Sequence, residues 1–221
     1  MSEVTASVVR GPLHSSDSTL VDLRFRRLLS DDDWMNLTPA VRARFSKRFA
    51  HGATVTYVGQ VTHVAFSRVG WWLAQAARVF GGPLPLSRDV DVASVVSVTE
   101  DMSTGGQIWT RMYARRSGFT QVIHSSKRFE GTTGLEEYVG RGLLVALSVA
   151  VEHGALMFRS TGYHLQIGRR RFRILRLLTP GALTVTHRDL GEGRFLFRLE
   201  IVHPWLGPLI DQSAVFREAT P

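Results

Sequence analysis

Apolar and polar residues alternate through most of the second half of the chain, most cleanly between Leu183 and Leu209. Leu183, Val185 and His187 share one face, the chain turns at Gly191-Glu192-Gly193, and Phe195, Phe197, Leu199 and Ile201 share one face of the return run. Arg194, Arg198 and Glu200 fall on the opposite face, where Glu200, between Arg198 and Val202, is expected in a solvated cross-strand ion pair. A period of two with one apolar and one wet face predicts a β-hairpin. Its apolar face must be covered by another sheet or by closure of its own. The same pattern predicts strands over 53–66, 90–100, 107–116, 119–129, 136–139, 143–152, 155–167, 174–178 and 213–217. Trp109, Arg111 and Tyr113 share a face of the third, and Gly59 marks an expected bulge or bend in the first. About ten strands joined by short glycine turns predict a mainly β fold, an antiparallel β-barrel or a strongly curved sheet.

Three segments have helical spacing instead. An apolar stripe of Leu20, Leu23, Phe25, Leu28 and Leu29 predicts a helix near 20–30, interrupted by Asp31–Asp33. Thr38 and Pro39 are an N-cap and a first helical residue, so a helix is expected over 39–47 with Val41 and Phe45 buried. Residues 69–80 are apolar nearly all round, carry Trp71 and Trp72, and stop at Gly81-Gly82-Pro83. That helix is too short to cross a bilayer. It is expected to plug or cover the barrel, with a cavity lid and a membrane-surface contact as the other readings. Residues 1–18 are expected to be a flexible arm and 19–221 a single barrel-like domain.

Composition narrows the function classes. The chain has 221 residues, no cysteine and a net charge of +8. A thiolate nucleophile and a disulfide framework are excluded. No segment has the form of a signal peptide or membrane span, so a cytoplasmic location is expected. Lys47 and Lys127 are the only lysines, and Arg169, Arg170, Arg171, Arg173 and Arg176 form the one basic cluster. The cluster is a solvated loop or a docking point for an acidic carrier protein. Aromatic residues do not interleave with it, so nucleic acid is not the expected partner.

Several loose motifs occur in a characteristic order. They are Leu23-Arg24-Phe25-Arg26-Arg27-Leu28-Leu29, Trp34, Leu37-Thr38-Pro39-Ala40-Val41-Arg42, Trp109-Thr110-Arg111-Met112-Tyr113 and Gly134-Leu135-Glu136-Glu137-Tyr138-Val139-Gly140. His153-Gly154-Ala155-Leu156 and Gly193-Arg194-Phe195-Leu196-Phe197 follow, the latter continuing through Pro204 and Gly207. In this order, over about residues 20–217, the chain resembles the family known as domain of unknown function 4166. Members of that family are often fused behind an NAD-binding domain of the saccharopine-dehydrogenase or short-chain type. This chain has no G-x-G-x-x-G strand-to-helix signature. The expectation is a free-standing version, to which neither hydride transfer nor a catalytic set carries over.

The candidate chemistry is sparse. The eight histidines form neither H-x-x-x-H nor H-E-x-x-H, so a locally assembled metal site is not expected. His124 and Ser125-Ser126 do not make a nucleophile elbow. Glu136 and Glu137 fall on opposite faces of a strand, and the inward carboxylate needs a partner such as Arg111. A barrel of about ten strands is too wide for side chains alone to fill, which predicts a cavity for an apolar ligand. Glu137, His124 and Tyr113 are the candidate catalytic residues, and Trp109, Arg111, Trp71, Trp72, Phe195 and Phe197 the candidate ligand-binding wall. The leading expectation is a cofactor-free cyclisation, cycloaddition or isomerisation of a hydrophobic, polyketide-like molecule held in a reactive conformer. The alternative is a non-catalytic lipid- or small-molecule-binding module, or an accessory domain for a separate dehydrogenase.

Overall fold

The computed structural model describes residues 22–47 and 54–219, so the arm expected at 1–18 lies outside the described residues. Eleven strands are present: β1 Thr54–Phe66, β2 Ala93–Asp101, β3 Gly106–Tyr113, β4 Gln121–Arg128, β5 Glu136–Gly140, β6 Leu143–Glu152, β7 Ala155–Ile167, β8 Arg170–Arg173, β9 Ala182–Gly191, β10 Arg194–His203 and β11 Gly207–Glu218. All pairings are antiparallel, in the order β6-β5-β4-β3-β2-β1-β11-β10-β9-β7, and β7 pairs back to β6. Ten strands thus close a barrel, and β8 lies outside it. On one edge of β7, Leu156–Arg159 pair with β9 and His164–Ile167 with β8. The seam between is tied by the Leu183 N–H donating to the Ser160 hydroxyl (2.9 Å) and the Ile174 N–H donating to the Tyr163 carbonyl (2.8 Å).

Period-two alternation sets what points inward. Gln107, Trp109, Arg111 and Tyr113 of β3 are buried, as are Phe195, Phe197, Leu199 and Ile201 of β10. Arg198 and Glu200 face outward, but their 3.0 Å pair runs along β10, and the cross-strand pair is Arg198 with Asp211 of β11 at 2.8 Å. Gly59 is not a bulge. A β-carbon there would overlap the Val215 carbonyl and the Phe216 ring, so glycine serves the close approach of β1 to β11. The register shift falls between Val61 and His63. It turns His63 outward, 3.6 Å from Asp211, and keeps Val64 and Phe66 against the core.

Each end of the barrel is filled separately. At one end, helices α1 (Asp31–Asn36) and α2 (Pro39–Phe45) are capped by Ser30 and Thr38, whose hydroxyls accept from the Asp33 and Val41 N–H groups. Asp31–Asp33 therefore begin a helix rather than interrupt one. Val41 and Phe45 are buried, and Phe25 inserts among Phe45, Phe129 and Phe158 at 4.9–6.0 Å between ring centroids. The helix expected near 20–30 is, among the described residues, a single 3₁₀ turn at Arg26–Leu28. The buried Asp22 carboxylate accepts from the Arg24 N–H (3.0 Å) and its guanidinium (2.7 Å). That local bond competes with helix.

The other end is covered by α3 (Arg68–Ala76), continued by a 3₁₀ turn at Ala77–Phe80 and ended by Gly81 at φ 96°. Gly70 of α3 rests on the Leu209 carbonyl of β11, where a β-carbon would collide. The strand expected at 174–178 is a 3₁₀ turn, Arg176–Leu178, and the closing strand is β11, twelve residues long.

Candidate ligand cavity

A charged layer crosses the barrel interior on three consecutive strands. Arg111 comes from β3, Ser125 and Lys127 from β4, and Glu137 from β5, where it is the direct register partner of Lys127. The Lys127 ammonium donates to Glu137 Oε2 at 3.0 Å, and Arg111 Nη2 lies 3.7 Å from Oε1. Arg111 Nη2 also donates to the Ser125 hydroxyl at 3.0 Å. Burial by itself would raise the Glu137 carboxyl. Lys127 and Arg111, with hydrogen bonds from Ser125 and Lys127, outweigh it and hold the group at about 2. Glu137 is therefore a carboxylate and a counter-ion, not a proton donor. Burial pulls the Lys127 ammonium down. Its Nζ sits 5.4 Å from the Trp109 centroid and 4.9 Å from that of Phe158, which favours the charged form. Arg111 is buried too, and its Nε has no hydrogen-bond partner.

Between this layer and α3 lies a cavity of about 270 Å³. Arg111 and Glu137 line it, and the rest of its wall is largely apolar, from Leu73, Ala77 and Phe80 on the helical cover to Val145, Leu199 and Ile201 on the strands. An outer groove of about 400 Å³ runs along the β7 seam and shares Tyr163, Ile174 and Thr179 with the cavity. Tyr163 thus stands between inside and outside. Its hydroxyl donates to the Gly181 carbonyl at 3.0 Å, and burial pushes it up to about 12. On the other side of the layer, a void of about 10 Å³ is bounded by Trp109, Lys127, His187 and Phe197 among others. Burial keeps His187 neutral, with its pKa well below the ordinary imidazole value, in a cage that includes Phe45, Trp109, Phe158 and Phe195.

Of the residues expected to form the site, the structure brings together Glu137 and Arg111 at the cavity and Trp109 and Phe197 at the small void beneath it. Phe195 packs between His187 and Phe216, nearer the α1–α2 end. Tyr113 points inward and burial raises its hydroxyl, but it does not line the cavity. His124 is a correction. Ile123, Ser125 and Lys127 occupy the inner face of β4, so His124 is outside, with Nδ1 at 3.0 Å from the Thr110 hydroxyl. Trp71 and Trp72 are the second correction. Gly70 and Ala74 are the buried residues of α3, and Leu73 and Ala77 turn to the cavity. Trp72 is consequently 68 % exposed, and Trp71 packs edge-on against it at 4.9 Å.

Sequence reasoning missed Lys127, although a signal was present. It is one of two lysines in an arginine-rich chain, and it shares the inner period of Ile123 and Ser125. Tyr163 carried no such signal, because its role follows from the divergence of β8 and β9 along β7. In the arginine cluster, Arg171 bridges Glu136 (2.8 Å) and Glu130 (3.2 Å), and Arg173 and Arg176 line the outer groove. Among the described residues, no group of three His, Asp or Glu side chains could hold a metal ion, and no helix is long and apolar enough to cross a membrane. Residues 37–216 match the family model described as Domain of unknown function (DUF4166). No curated protein and no solved structure matches the chain.

Proposed function

We propose that this chain, which belongs to the DUF4166 family, encloses a hydrophobic small molecule between α3 and the charged layer. The observation that carries the reading is the cavity itself: about 270 Å³, largely apolar walls, and Arg111 and Glu137 as its charged lining. A few polar groups in an apolar enclosure orient a ligand and set its specificity. The groove that shares Tyr163 with the cavity supplies the entry path. Arg173 and Arg176 on that groove suit delivery by an acidic carrier protein, and a cytoplasmic setting fits a chain without cysteine.

Catalysis is the second reading, and Arg111 is the observation that favours it. A preorganised cation in a water-poor cavity stabilises negative charge that develops on a carbonyl or enol oxygen. That is sufficient for a cofactor-free cyclisation, cycloaddition or isomerisation of a substrate folded by the walls. Glu137 would hold Arg111 and Lys127 in place rather than transfer a proton. Carriage without chemistry, or service to a separate dehydrogenase, uses the same cavity.

The test is mass spectrometry of small molecules extracted from the purified chain, beside Ala77→Phe, which puts a ring into the cavity from its cover. Compounds retained by the parent and lost from the variant are expected. Identical extracts, with or without bound compounds, would overturn the reading.

A further inference from the structure

We infer that the ligand of this cavity is an apolar carboxylate whose anionic head seats against Arg111 and whose body lies under α3. The inference rests on the reading that the cavity holds an apolar small molecule, and it names the class.

The first ground is charge. The layer contains two cations, Arg111 and Lys127, and one carboxylate, Glu137. Lys127 is the closer partner of Glu137, at 3.0 Å against 3.7 Å, and is bonded to it directly. Glu137 is thereby satisfied by a group that does not line the main cavity, while Arg111, which does, is left with charge in excess. Burial keeps His187, beside the small void, uncharged and holds the Tyr113 hydroxyl protonated, so neither adds an anion.

The second ground is hydrogen bonding. A guanidinium presents five N–H donors in a plane. Within the layer, Nη2 of Arg111 serves Ser125 and faces Glu137, whereas Nε is buried without a partner. An unmade bond on a buried ion is costly. A carboxylate is the acceptor that guanidinium geometry fits best, and it also supplies the missing negative charge. A neutral hydroxyl would meet the hydrogen-bond need and leave the charge unbalanced.

The third ground is shape. Apart from its charged floor, the cavity is walled largely by aliphatic side chains. Its volume of about 270 Å³ equals about nine water volumes, room for a chain or ring system of about ten heavy atoms. A polar body would strip its own hydration against those walls without compensation. Together these features select one anionic end and an otherwise apolar molecule.

Decanoic acid and 1-decanol share a chain and differ at the head, so titrating each into the intact chain, followed by tryptophan fluorescence and calorimetry, separates the grounds. At pH 7 decanoate is expected to bind about tenfold or more tighter than decanol, the scale of one charge-assisted bond. Arg111→Gln should erase that preference with little effect on decanol, and Ala77→Phe should weaken both. Bound [1-¹³C]decanoate should titrate at lower pH than free decanoate, a readout that needs no variant. Equal affinity of the two probes, or an unshifted titration, would overturn the carboxylate assignment and leave the apolar cavity standing. Failure of both probes to bind would overturn the cavity reading as well.

Discussion

Replacing Glu137 with glutamine removes the single carboxylate between two buried cations and keeps its shape. At 3.0 and 3.7 Å from Lys127 and Arg111, with an effective dielectric constant of about 20, the gross attractions are about 5.5 and 4.5 kcal/mol. Desolvation offsets much of that. The direction of the net is given by the carboxyl itself, which Lys127 and Arg111 hold well below its ordinary value despite burial. Glu137→Gln is therefore expected to destabilise the fold by about 3–5 kcal/mol, since both cations stay buried without a counter-ion. Lys127→Met is expected to stay within about 1 kcal/mol of the parent. It leaves the Arg111–Glu137 pair and puts an apolar chain among the rings of Trp109 and Phe158. Urea unfolding at pH 7 measures both, with equal m values as the check that only stability has changed. In the double variant the cost of losing Glu137 should shrink, because only one unpaired cation remains. Equal effects of the two single changes, or a loss below about 1 kcal/mol for Glu137→Gln, would refute the buried-layer argument.

Three further outcomes are expected. Glu137 and Asp101 both titrate below their ordinary values in the folded chain. For Asp101, burial would raise the carboxyl, but hydrogen bonds from Ser103, Ser126 and Thr104 outweigh it. Stability from depressed carboxyls is present above the unfolded values and lost as pH falls, so melting temperature should drop from about pH 4.5 to about pH 2, with a shallower drop in Glu137→Gln by circular dichroism. Gly70→Ala should cost about 1–3 kcal/mol and speed hydrogen exchange through 67–81, because its β-carbon meets the Leu209 carbonyl; unchanged exchange there would remove Gly70 as the seat of α3. His124→Ala should leave decanoate binding unaltered and stability within about 0.5 kcal/mol, since it bonds Thr110 on the outer face; a binding defect would contradict that placement.

The barrel was legible because alternation is a local signal repeated on many strands. Leu183–Leu209 alone sets which faces of β9 and β10 point inward, and the cap at Thr38 located α2 by a single side-chain bond. Errors arose where a tertiary contact decided the local choice. Asp22 closes a turn against Arg24 and lets Phe25 enter the barrel end, so the stripe from 20 to 30 is not one helix. The extra residue at Thr62 reverses the rest of β1 against β11, which no period within 53–66 encodes. Trp71 and Trp72 suggested a ligand wall because tryptophan is large, yet the two small residues Gly70 and Ala74 decide which side of α3 meets the barrel. The Arg111–Glu137 contact was foreseeable from alternation. Lys127 as its third member depends on the β4–β5 register, a long-range property.

The position of the cavity follows from a gradient of side-chain size along the strands. From the α1–α2 end towards α3, β10 reads Phe195, Phe197, Leu199, Ile201 on its inner face, while β9 reads His187, Val185, Leu183. Aromatic rings fill the first half, together with Phe25, Phe45 and Phe158. Aliphatic chains line most of the second half, and the helical cover meets them with Leu73, Ala77 and Phe80. A ten-strand barrel that tapers its side chains but not its strands must leave space where they shorten. Larger residues at Ala77 or Val185, both on the cavity wall, would fill that space without altering the strand pattern. That they are small, and that Arg111 lines the same cavity with an unpartnered Nε, points to space kept for an occupant.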